Sequence, residues 1–121
     1  MIFKSTVEDY AYDNQSWLGS RRGTFTARTV TIDGSTLAAF DGVVPSGVPL
    51  KKNTDGKYAP VTDAGDVLEG FLLTPQAKDG ASDIVAPLVD TGRVRVNRLP
   101  EGAFDVSTLT APNPRFVLVE A

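Results

Sequence analysis

The side chains that could do chemistry in this chain are few. Asp63, Asp66 and Glu69 could offer oxygens to a hard cation, but the loop spacing that arranges such ligands in an EF-hand is missing. The chain has no His and no Cys. A serine nucleophile would therefore have only a lysine or a carboxylate as its base, and thiolate or disulfide chemistry is excluded. No G-x-G-x-x-G or P-loop pattern is present to cradle a phosphate, so the turn glycines Gly42, Gly47 and Gly56 read as structural. The expectation is a protein without catalytic residues, cofactor or metal.

What remains are groups that grip a partner. Phe3, Tyr10, Tyr12, Trp17 and Leu18 stand among Asp9, Asp13, Asn14, Gln15, Ser16 and Ser20. Purely solvating tails are poor in aromatics, whereas aromatics anchor interfaces. Residues 1–23 therefore read as an extended arm outside the core, with these side chains, Arg21 and Arg22 as its contacts; aromatics folded back onto the parent domain are the alternative. Arg28 could join them against carboxylates. A second cationic group, Arg93, Arg95 and Arg98, lies on a polar strand face, open to solvent or to a neighbouring subunit.

Length and composition limit the partners. At 121 residues the chain fits one domain, and 41% hydrophobic residues with six Phe and three Tyr can seed a core. A formal net charge of −3, with cations scattered among the anions, lacks the basic footprint of nucleic-acid binding. No apolar run approaches the ~18 residues that span a bilayer. Met1–Val7 has no signal-peptide core, so synthesis in the cytoplasm is expected. Neither nucleic acid nor membrane is an expected partner.

The elements that must position these groups are strands. Eleven Gly and eight Pro favour turns over long helices. Thr24–Ile32 is β-branched and reads as a strand, turning at Asp33-Gly34, with Leu37–Phe40 a second short one. Pro45-Ser46-Gly47 is a turn, and Pro49 belongs at a strand start or edge. Asp55-Gly56 closes a hairpin before Lys57–Val61. Val67–Thr74 is the most apolar run and fits a buried strand. Asp83–Pro100 is the longest strand region, with valines alternating inward against Arg93 and Arg95 and Gly92 at a bulge or close approach. Ala103–Leu109 reads as one short helix and Phe116–Val119 as a last strand. Residues 24–121 make one mainly-β domain behind the arm.

Three pieces, Gly47-Val48-Pro49-Leu50, Gly70-Phe71-Leu72-Leu73 and Gly92-Arg93-Val94-Arg95 leading to Leu99, occur in an order that resembles the lambda-type phage head decoration proteins. The resemblance covers about residues 24–121, and the arm matches only as an arm. It implies a β-clip-like, mainly-β fold with a short helix at most, a homotrimer, and a non-enzymatic cement role. The implied partner is the major capsid protein, met on the outer virion surface at local three-fold positions. There the N-terminal arm pairs with capsid strands and the shell resists DNA pressure. The alternatives are a β-clip module binding a carbohydrate or protein and, further off, a trimeric dUTPase-like nucleotide hydrolase, whose separated motifs have no counterpart here.

Overall fold

The computed structural model describes residues 15–19, 27–40, 42–78, 80–100, 103–111 and 113–119. Nine strands are described: β1 (Arg28–Ile32), β2 (Val43–Val44), β3 (Pro49–Lys52), β4 (Tyr58–Pro60), β5 (Gly70–Leu72), β6 (Gln76–Ala77), β7 (Ile84–Val89), β8 (Gly92–Arg95) and β9 (Phe116–Val119). The only helical pieces among the described residues are 3-10 turns of three residues each, at Gly34–Thr36, Val96–Arg98 and Val106–Thr108. The mainly-β class is as the sequence indicates.

Five strands close a barrel in the order β1-β4-β3-β5-β7. β7 lies antiparallel to β1 from Arg28↔Leu88 to Ile32↔Ile84, while β1 meets β4 in parallel at the single pair Ile32↔Tyr58. The strands β2 and β6 form a small separate ribbon. The last two strands, β8 and β9, run parallel from Gly92↔Phe116 to Arg95↔Val119.

Two apolar clusters follow from side-chain alternation on the shared strands. In the register of β5 and β7, Leu72 faces Leu88 and Phe71 faces Val89. Leu72 and Leu88 join Val30, Ile32, Leu37, Leu50, Tyr58 and Ala86 in one cluster. Phe71 and Val89 join Trp17, Val61, Leu68, Val94, Val106, Leu109 and Phe116 in the other, which β8 and β9 cover. Gly70, Phe71 and Leu72 are all buried, so β5 is apolar on both faces. That is why this stretch reads as an unbroken hydrophobic run.

Several elements differ from the sequence reading. β1 is shorter than Thr24–Ile32 on the described residues, and Leu37–Phe40 is no strand. Leu37 instead ends the 3-10 turn and is buried. The Lys78 ammonium then donates to the Leu37 and Phe40 carbonyls at 2.8 and 2.6 Å, holding this segment as turns. Val67 is 61% exposed, so the buried strand narrows to Gly70–Leu72. The long region 83–100 breaks after Val89 and resumes at Gly92, whose φ of +133° is glycine territory; no heavy atom approaches its Cβ position, so the need is a turn and not a close contact. The Ala103–Leu109 helix shrinks to one 3-10 turn. Pro49 does open its strand, and Gly56 does turn the β3–β4 hairpin with φ +86°.

Candidate functional site

The described part of the expected arm does not project from the body. Trp17 is completely buried. Its ring lies 5.4 Å from that of Phe71, which in turn meets Phe116 edge-on at 5.0 Å. The indole N–H donates to Ser46 Oγ at 3.1 Å, and the Ser46 hydroxyl donates to the Leu73 carbonyl at 2.6 Å. Ser46 is the one buried polar side chain among the described residues, and this chain of bonds satisfies it. The assignment of Trp17 to a free arm is therefore corrected. A large aromatic with a polar N–H gains more from a tight pocket with an acceptor than from water, and a residue sequestered here has no face left for a partner.

The rest of Gln15–Gly19 follows the indole inward. Arg95 N donates to the Trp17 carbonyl at 2.7 Å and Gly19 N to the Arg93 carbonyl at 2.8 Å. These bonds flank an antiparallel bridge between Leu18 and Val94. Leu18 is half-buried against the Phe71 cluster, so its reading as an exposed contact is corrected too. The segment serves β8 as a third strand, which leaves β8 paired on both sides. Gln15 Nε2 donates to the Leu73 carbonyl at 2.9 Å, and the Arg95 guanidinium donates to the Ser16 carbonyl at 3.2 Å. Gln15–Gly19, on the arm side of a boundary at residue 24, is thus packed and paired with the body. Phe3, Tyr10, Tyr12, Arg21 and Arg22 lie outside the described residues.

The second arginine group is exposed. Arg93 and Arg95 point outward from β8 while Val94 between them is buried, as the alternation indicates. Their partners in register on β9 are Val117 and Val119, and Val117 is 53% exposed. The outer face of this sheet therefore pairs two guanidinium groups with valine. Arg98 is exposed at the end of the following 3-10 turn. None of the three forms an ion pair among the described residues. Beyond Arg98 a half-open cleft of about 420 Å³ is lined by Val96, Leu99, Pro100, Phe104, Asp105 and Ser107 among others.

Asp63, Asp66 and Glu69 do not converge on a common point. Asp66 accepts from the Thr62 and Asp63 amides at 3.0 and 3.1 Å and from Lys51 Nζ at 3.1 Å. The Thr62 amide, with help from Lys51, holds its carboxyl below the usual range against some opposing desolvation. Asp63 binds the Gly65 amide, and Glu69 faces Arg115 at 3.5 Å. These groups fasten a loop, and among the described residues no cluster of acidic side chains could hold a metal ion. Arg28, considered for partner carboxylates, is engaged with Asp90 at 3.0 Å.

Sequence reasoning missed Ser46 and Gly47 as the Trp17 pocket. The P-S-G triplet signals a turn in any context, and only the pairing of distant strands brings it to the indole. Comparison with models of known protein families and with curated proteins finds no match for the chain.

Proposed function

We propose that this chain is a non-enzymatic decoration protein of a viral shell, bound as a homotrimer to the outer surface at local three-fold positions and stabilising the shell against internal pressure. The observation that carries the reading is the rooted N-terminal segment. Gln15–Gly19 is bonded to β8, Ser46 and Leu73 and packs in the Phe71 cluster, and in this reading the grip made by Phe3, Tyr10 and Tyr12 would be attached there. A segment held at one end on a rigid platform is suited to strand addition on a partner's sheet. Three such platforms in one trimer would raise avidity about 10²–10⁴-fold where geometry permits, and a three-fold particle on a three-fold axis meets that geometry.

The pieces that carry the family resemblance also interlock. Pro49 pairs with Phe71 and Leu50 with Gly70, and Val94 of the G-R-V-R piece packs in the Phe71 cluster. Their order in the chain is thus tied to one packed body, which supports the reading. The exposed Arg93, Arg95 and Arg98 are the proposed subunit contacts.

Because Trp17 is core, the test must spare it. Deleting residues 1–14 should leave a folded trimer that no longer decorates shells assembled from the capsid protein of the virus encoding this chain. Full occupancy by the truncated protein, seen by electron microscopy as protrusions at three-fold positions, would overturn the arm model. A monomer by light scattering at micromolar concentration would remove the trimer.

A further inference from the structure

We propose that the barrel opens first at the junction of β1 and β4, and that the Asp83 carboxylate, which bridges Gly34 and Lys57 across it, is the clasp that holds this junction shut. The other four junctions carry two to five paired residues each. Here the parallel strands overlap only at Ile32↔Tyr58, because β1 ends where β4 begins. One backbone bond reinforces the pair, from the Asp33 amide to the Tyr58 carbonyl at 2.8 Å. The ladder has no way to lengthen. Backbone groups along a strand alternate between its two edges. The Val61 amide donates to Pro49 on the β3 side, so Tyr58 and Pro60 serve the β1 side, and Pro60 has no N–H to give. Gly34, which Pro60 would meet in this register, sends its amide to a side chain instead.

That side chain is Asp83, the residue before β7. Its Oδ1 accepts from the Gly34 amide at 3.1 Å, and its Oδ2 meets Lys57 Nζ at 2.8 Å. One carboxylate thus ties the end of β1 and the start of β4 to the same point. Gly34 is seated for this, since a Cβ there would collide with the Ser82 carbonyl. Asp33 and Asp55 also face Lys57, but Asp33 Oδ1 is taken by the Ser35 amide and hydroxyl, and Asp55 Oδ1 by the Lys57 amide. Among the described residues, only the Asp83 side chain is bonded to both sides of the junction. Lys57 and the Gly34 amide hold the Asp83 carboxyl below its usual range, and Asp83 in turn raises Lys57. The clasp is therefore present above the unfolded carboxylate range near pH 4. It is lost as pH falls through the lowered carboxyl value, and again as pH rises through the raised lysine value. Opening uncovers the buried Ile32 and Tyr58 and bares two strand edges on which another chain can pair.

Native-state amide exchange, followed by NMR on the full chain, tests this residue by residue. The Asp33 amide reports the β1–β4 junction. The Val61, Leu72 and Leu73 amides, bonded to the Pro49, Val48 and Pro87 carbonyls, report the junctions of β3 and β5 with their neighbours. After correction for intrinsic rates, Asp33 should exchange at least ~10-fold faster than these three at neutral pH. Asp83→Asn keeps the shape and loses the charge. It should speed Asp33 by a further ~3- to 10-fold and leave the other three within about twofold. Lys57→Gln should act on the same amide. As pH falls toward 3, wild-type protein and Asp83→Asn should converge at Asp33. A residue serving only global stability would speed all four amides together; that result, or a failure to converge in acid, would overturn the clasp. Equal protection of Asp33 and the other three in the wild-type protein would overturn the opening itself. Should Asp83→Asn fail to fold, Lys57→Gln and the wild-type pH series decide.

Discussion

Gly47 lies against the Trp17 indole so closely that a Cβ there would stand 2.8 Å from the ring atoms Cδ1 and Nε1, and 2.8 Å from Pro100 Cδ. Its φ of +98° is also unfavourable for any side chain. Gly42 and Gly56 share the positive φ but have open space at the same position. Gly47→Ala should therefore cost about 2–4 kcal/mol, combining backbone strain with overpacking. Gly56→Ala should cost about 1–2 kcal/mol from backbone strain alone. Urea unfolding of the two variants separates these effects.

Two turns use the same local device. Asp33 Oδ1 accepts from the Ser35 amide and hydroxyl at 3.0 and 2.7 Å, while Thr36 Oγ1 donates to the Asp33 carbonyl at 2.6 Å. Asp105, Ser107 and Thr108 repeat it at 3.1, 2.6 and 2.7 Å. Asp33→Ala and Asp105→Ala should each lower stability by about 0.5–2 kcal/mol, the usual cost of losing an N-cap, while Asp→Asn or Asp→Ser should recover most of it. Thermal unfolding of the six variants checks this.

Much of the β-pattern was legible because it is local. Gly56 in its hairpin, Pro49 at a strand start and the Val94 alternation each follow from a few neighbouring residues. The D-x-S-T pattern of both capped turns is just as local but was not read in the sequence; it explains why Gly34–Thr36 and Val106–Thr108 are 3-10 turns. The misplaced pieces depend on distant partners. Leu37–Phe40 has strand-compatible residues but is claimed by Lys78, and Trp17 looks like an exposed anchor until Phe71, Ser46 and Gly47 are assembled around it. A polar sequence neighbourhood says little about an aromatic whose pocket comes from elsewhere in the chain.

The loop that Asp66 fastens should be sensitive to acid. Its folded-state pKa lies below the ordinary value, chiefly through the Thr62 amide and with help from Lys51. The stabilisation is thus present above the unfolded carboxylate range near pH 4 and is lost as pH falls through the lower folded value. Asp83 shifts the same way, through Lys57 and the Gly34 amide. Asp66→Asn should cost about 1 kcal/mol at neutral pH, and its deficit against the parent should shrink below pH 4. Denaturant midpoints measured between pH 7 and pH 3 report both the size and the direction.

Arg93 and Arg98 separate folding from association. Neither has an ion-pair partner among the described residues and both are exposed, so Arg93→Glu and Arg98→Glu should each change monomer stability by less than about 0.5 kcal/mol. If these side chains form the proposed subunit contacts, the same reversals should shift sedimentation toward smaller species. An unchanged sedimentation profile would place the trimer contacts elsewhere.

The pairing of β1 with β7 and the seating of Gln15–Gly19 have a bearing on biosynthesis. The ladder that closes the barrel joins the first described strand to the seventh, and Ser16 finds its guanidinium partner 79 positions further along. Phe116, which completes the Phe71 stack, lies in β9, after β8. An emerging polypeptide therefore cannot finish the Phe71 cluster until Phe116 has left the ribosome, whereas the other cluster needs the chain only as far as Leu88. Such distant pairings also make folding intrinsically slow. Gln15–Gly19 is thus made long before β8, the strand that secures it, has been synthesised.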